Sequence, residues 1–80
     1  MRFTKYFLYT QERADRKAIK KEWIEYVFKH YIKEEKQQDG RLKRWAYIQE
    51  AKKYLRIIVL EDGITIHNAF FDRSFKLKNL

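Results

Sequence analysis

The sequence predicts an α+β fold in which one long amphipathic helix packs on an antiparallel sheet of three or four strands. Three observations carry this expectation. The densest apolar stretch, Arg41 to Arg73, holds two runs rich in Ile, Val, Leu, Thr and Phe, Lys53 to Leu60 and Ile64 to Asp72, separated by Glu61-Asp62-Gly63. Asp-Gly between two such runs is the strongest short-range hairpin signal. Upstream, Ile19, Trp23, Val27 and Tyr31 recur every four residues, which is the spacing of one helix face. Finally, 80 residues with 45% hydrophobic and 18% aromatic content make one ordered domain, residues 1–80, with no room for a second core.

Taken in order, Met1 to Thr10 alternates loosely, with Phe3, Phe7 and Tyr9 on one side of an extended chain and Tyr6 and Leu8 on the other. That pattern fits a short edge strand or a tail laid over the core. Asp15 is the expected N-cap of a helix over about 15–31, since nothing breaks a helix until Gln38-Asp39-Gly40. Ile24 and Phe28 widen its apolar stripe, and Glu25 and Lys29 form a favourable pair one turn apart. Tyr31 to Gln38 either extends the helix or, from Ile32, makes a polar edge strand. A helix ending near His30 to Lys33, followed by weakly extended chain, is the expectation. Strands are expected over about 41–48, 53–60 and 64–72, a three-stranded meander.

Two registers are open for the hairpin. A two-residue turn at Asp62-Gly63 sets Val59 opposite Ile66, Ile57 opposite Asn68 and Leu55 opposite Phe70 on a buried face. Tyr54, Arg56, Ile58 and Leu60 then share the other face with Thr65, His67, Ala69 and Phe71, and Arg73 follows. A three-residue turn with a bulge at Gly63 sets Leu60 opposite Ile64 and moves His67 among Leu55, Ile57 and Val59. After Arg73 the basic tail offers Phe75 and Leu77 for docking on the domain.

The charge narrows the partners. Nineteen Lys plus Arg against 11 Asp plus Glu give +8, which suits a polyanion: RNA, or an acidic protein. Solubility alone is the plainer explanation of such a charge. Cysteine is absent, so neither a disulfide framework nor a thiolate metal site supports the fold. No apolar run is long enough for a signal-peptide core or a membrane span, so a cytoplasmic protein with no membrane partner is expected.

Enzyme signatures are sparse. Gly40 and Gly63 are the only glycines and read as turn residues, so there is no phosphate loop. His30 and His67 do not pair with carboxylates at metal-ligand spacing, and Ser74 lacks a nucleophile-elbow context. Neither a metal nor a cofactor is expected. What remains suits metal-free RNA cleavage, which needs a base, an acid and a cation for the phosphorane. Arg56 is placed to hold the phosphate, His67 to act as acid or base, and Tyr54 to stack a base. Each has an ordinary alternative: His67 structural, Arg56 paired with Glu50, Tyr54 set across from Phe71. Lys43, Arg44, Lys52, Lys53 and Arg56, with Trp45, Tyr47 and Tyr54 interleaved, together read as a platform for single-stranded nucleic acid. Asp72 and Arg73 read as a local ion pair, and an exposed sheet edge offers a route to a homodimer.

DGRLKRWAYIQE, KYLRIIVLEDG and HNAFFDR, preceded by DRKAIKKEWIEYV, resemble a widespread family of short bacterial proteins from about Asp15 to Arg73. More remotely, the helix followed by a sheet with YLRIIVL is similar to the BrnT, RelE and ParE toxin group. That resemblance implies a RelE-like meander, an mRNA-cleaving toxin activity and an acidic antitoxin partner. It also implies sheet arginines at the site, which Arg56 and Arg73 match, and a lysine, which Lys53 matches. The C-terminal tyrosine of that pattern has no counterpart in SFKLKNL, and His67 is the residue left to substitute.

Overall fold

A computed structural model describes residues 1–76. Seven elements follow in order: β1 (Arg2–Phe3), α1 (Lys5–Thr10), α2 (Lys21–His30), β2 (Lys33–Lys36), β3 (Leu42–Ile48), β4 (Lys53–Val59) and β5 (Thr65–Phe71). The strands form one sheet in the order β1-β5-β4-β3-β2. From β2 to β5 consecutive strands are antiparallel, whereas β1 runs parallel to β5. The fold is α+β, but the expected architecture is corrected on two counts: the sheet is five-stranded and mixed, and two short helices replace the long one.

The helix over 15–31 fails at its first turns for a tertiary reason. The two residues of β1 cover β5 only at Thr65 and Ile66, leaving the outer edge of β5 beyond them without a strand partner among the described residues. Arg16 fills that gap: its Nη1 donates to Asn68 Oδ1 at 2.7 Å and to the Ala69 carbonyl at 3.2 Å. Asp15 caps no helix and instead pairs with Arg13 and Arg16. Ile19 is buried from this turn segment, and Lys20 with extended backbone (ψ 142°) starts α2. Local propensity yields here to the satisfaction of a sheet edge. At the other end, Tyr31 turns extended (ψ 146°), and the chain continues as the polar edge strand β2.

α1 occupies sequence expected to be extended. Thr4 is its N-cap, accepting the Phe7 N–H on Oγ1 at 3.0 Å, and the Phe3 and Phe7 rings stack at 4.8 Å. Phe7 thereby joins a core of Ile19, Ile24, Val27, Ala46, Ile48, Leu55, Ile57, Val59, Ile66 and Ala69. α2 covers one face of β3 and β4 with Ile24 and Val27. Arg44 ties its last turn down, with Nη1 on the Phe28 carbonyl at 3.3 Å and Nε on Glu34 at 2.6 Å.

The hairpin follows neither anticipated turn. Leu60 N–H reaches the Thr65 carbonyl at 2.8 Å, so four residues, Glu61 to Ile64, make the loop. Gly63 takes a left-handed backbone (φ 77°), and Asp62 Oδ1 accepts from the Ile64 and Thr65 N–H groups. Val59 faces Ile66 as in the first register, but a bulge then adds one residue to β5. Beyond it Ile58 faces Asn68, Ile57 faces Ala69, Arg56 faces Phe70 and Leu55 faces Phe71. One inserted residue reverses the alternation. Ala69 and Phe71 therefore lie on the helix-covered face, and Asn68 and Phe70 on the open one, the opposite of the two-residue-turn reading.

Candidate nucleic-acid interface

The open face of the sheet carries alternate residues of the three central strands: Lys43, Trp45 and Tyr47 on β3, Tyr54, Arg56 and Ile58 on β4, Asn68 and Phe70 on β5. Trp45, Arg56 and Phe70 fall in one row across the sheet. The Arg56 guanidinium lies 4.3 Å from the centre of the Phe70 ring and 6.0 Å from that of Trp45. Its Nη1 is 3.6 Å from Asp72 Oδ2, which also accepts the Trp45 Nε1–H at 3.0 Å. Arg56 Nε is buried with no partner among the described residues. Burial pushes the Asp72 carboxyl up, but the bonds from Trp45 and Ser74 and the Arg56 charge outweigh it and hold the group below its ordinary 3.8.

Asp72 also organises the tail. Its N–H donates to the Tyr54 carbonyl at 2.9 Å, and its Oδ1 accepts from Ser74 N–H at 3.0 Å and Ser74 Oγ–H at 2.7 Å. This turn lays Phe75 over the open face. Its ring stacks on Trp45 at 4.8 Å and 19°, and meets Tyr54 edge-on at 5.0 Å. Trp45 is consequently only 4% exposed. Phe75 docks as expected, while Leu77 lies outside the described residues.

Beside this cluster the β3–β4 turn makes a groove. Lys52 adopts a left-handed backbone (φ 54°) with its N–H on the Ile48 carbonyl at 2.8 Å, reversing the chain in four residues, Gln49 to Lys52. A cavity of about 270 Å³ opens there, lined by Tyr47, Lys52, Lys53, Tyr54, Phe71, Asp72, Arg73 and Phe75. Tyr47 and Tyr54 meet edge-on at 5.1 Å, and Lys53 Nζ sits 5.2 Å over Phe71. Lys52, Lys53 and Arg73 are exposed and, among the described residues, have no carboxylate within ion-pair distance. A groove of about 380 Å³ between α2 and the end of β3 is larger but carries Glu22 and Glu50 and no cation among its lining residues. Charge therefore favours the smaller groove for a polyanion.

The residues singled out in the sequence separate into several surroundings. Lys43, Trp45 and Tyr54 share the open face, whereas Arg44 and Lys53 stand on the helix-covered side at its edges. Arg44 is committed to Glu34, the Phe28 carbonyl and the rings of Phe28 and Tyr31. Arg56 pairs with Asp72, not with Glu50, which accepts from Trp23 Nε1 and pairs with Lys20. Asp72 thus has Arg56 as its ion-pair partner in place of Arg73. Tyr54 faces Tyr47, and Phe71 lies on the opposite face, across from Leu55.

His67 sits at the bulge, bonded through Nδ1 to Thr4 Oγ1 at 3.1 Å and stacked on Tyr6 at 4.7 Å. Its contacts and those of Arg56 share no residue, and Arg73 lies in the groove wall. The structure thus does not gather Arg56, His67 and Arg73 around one point. Among the described residues no three His, Asp or Glu side chains gather as metal ligands, and no helix is long and apolar enough to cross a membrane. The groove brings together Lys52, Lys53, Tyr47 and Tyr54 of the basic and aromatic cluster read from the sequence, and adds Arg73 and Phe75. No family model, no curated protein and no solved structure matches the chain.

Proposed function

We propose that this protein is a non-catalytic binding module for single-stranded nucleic acid. The supporting observation is the groove lined by Lys52, Lys53 and Arg73, all exposed, together with Tyr47, Tyr54 and Phe75. Free cations neutralise successive phosphates and release their counterions, while tyrosine faces stack bases without regard to sequence. Cleavage is the weaker reading, because it needs Arg56, His67 and Arg73 at one phosphate, and His67, held by Thr4 and Tyr6, shares no contact with Arg56 or with the groove that holds Arg73. An acidic protein would use the same cations but would gain little from flat aromatic faces. A cytoplasmic setting, with single-stranded RNA at hand, belongs to the proposal.

The test is a titration of fluorescent single-stranded RNA at several salt concentrations. Each phosphate contact contributes about 0.7 to the slope of log affinity against log salt. Replacing Lys52, Lys53 and Arg73 together by alanine is expected to flatten that slope by about 2 and to weaken binding most at low salt. Tyr47→Ala is expected to weaken binding at every salt. Absence of binding at low salt, or binding indifferent to the triple substitution, overturns the reading.

A further inference from the structure

We infer that the strap Asp72 to Phe75 occupies a nucleotide subsite, with its carboxylate in the place of a phosphate and its phenyl ring in the place of a base. The inference rests on the nucleic-acid reading above and adds to it a second subsite and the mode of access. The Phe75 ring lies over Trp45 at 4.8 Å and 19°, a near-parallel stack like that of a base on an aromatic side chain. The anion beneath it, Asp72 Oδ2, is held by Trp45 Nε1–H and the Arg56 guanidinium.

The strap satisfies this subsite incompletely. Among the described residues Arg56 Nε is buried without an acceptor, and the Nη1 contact to Asp72 is long, at 3.6 Å. A buried donor left unpaired is costly, and guanidinium is built to offer Nε and Nη side by side to two oxygens. Asp72 spends its other oxygen on Ser74. A phosphate entering here has oxygens to spare for both Arg56 donors. Arg56 is already fixed between Phe70 and Trp45, so it need not be ordered on binding.

Position supports the same conclusion. Tyr54, Asp72 and Phe75 belong to this cluster and also line the Lys52–Lys53–Arg73 groove, so a strand lying in the groove leads directly to the strap. Displacing the Phe75 ring in favour of a base exchanges one stack on Trp45 for another and gives Arg56 Nε the acceptor that it lacks among the described residues.

The experiment uses a Trp23→Phe background, in which Trp45 is the remaining one of the two tryptophans. Affinity for single-stranded RNA and acrylamide quenching of Trp45 are measured for this protein, for Phe75→Ala and for Ser74→Ala, with folding checked by circular dichroism. Phe75→Ala is expected to expose Trp45 to acrylamide and to tighten RNA binding by about ten-fold, the worth of one stack no longer contested. RNA is then expected to shield Trp45 again. Ser74→Ala, which loosens the strap without touching the face, moves both readouts the same way by less. Should the parent protein bind RNA while Phe75→Ala leaves affinity unchanged or lowers it, the subsite is overturned and the groove reading stands. Binding by Phe75→Ala alone supports the subsite, and binding by none of the three overturns both.

Discussion

The two faces of the central sheet come from alternate residues of the same strands, yet different forces hold them. On the helix-covered face Leu55, Ile57, Val59, Ile66 and Ala69 are fully buried and aliphatic, packed against Ile24 and Val27 of α2. Their stability comes from area removed from water, which has no direction. On the open face the short strap Asp72 to Phe75 holds Trp45 and Arg56, through ring stacks, one ion pair and a few hydrogen bonds, and Arg56 in turn lies over Phe70. The first cover leaves only when the protein unfolds. The second depends on directional contacts that a ligand of similar shape and charge can replace.

The largest expected effect tests the first half of that contrast. Leu55→Ala removes a side chain with no exposed surface at the centre of β4 and is expected to cost roughly 2–5 kcal/mol in urea denaturation. Phe75→Ala, which removes one exchangeable stack, is expected to cost about 1 kcal/mol. Equal losses would break the comparison, because the strap would then belong to the core.

The same contrast explains what was legible. Alternation in Leu55, Ile57 and Val59 and the Asp62-Gly63 pair announce a buried face and a hairpin before any coordinates, since both signals are local. The bulge at His67 and Asn68 is not local. It lies where β5 leaves β1 and meets Thr4, Tyr6 and Arg16, so it depends on where the N-terminal segment docks. That segment has apolar residues on both sides of either pattern, and Thr4 as an N-cap was its one readable helix signal. For the candidate site, composition shows cations among aromatics but does not sort them by face. Arg44 and Lys53 are sequence neighbours of Trp45 and Tyr54 and so stand on the opposite face of the sheet. Phe75 was a foreseeable anchor; its seat on Trp45 needed the fold.

A middle-sized effect sharpens the second half. Asp72→Asn keeps an acceptor for Trp45 Nε1 but removes the charge facing Arg56, and is expected to cost about 1–2 kcal/mol. In a double-mutant cycle with Arg56→Met most of that loss should disappear, since the carboxylate then has no cation to lose. Additive losses would show that the two residues stabilise the strap separately.

The smallest expected effect probes the seam where the faces meet. The Thr4 hydroxyl accepts the Phe7 N–H and shares a hydrogen bond with His67 Nδ1; where the hydroxyl is the donor to that nitrogen, the imidazole is neutral. Burial, chiefly, and the positive charge of Arg41 hold this histidine below its ordinary 6.5. The native state therefore binds fewer protons than the unfolded chain once the pH drops below that value, so protonation favours unfolding. The urea midpoint is expected to be level above 6.5 and to decline as the pH falls through it, before the carboxylates titrate. His67→Phe, which keeps a ring to stack on Tyr6, should remove that part of the decline. A midpoint that rises on acidification would mean that His67 is stabilised as a cation, and the Thr4 contact would then run in the opposite direction, with the imidazole donating.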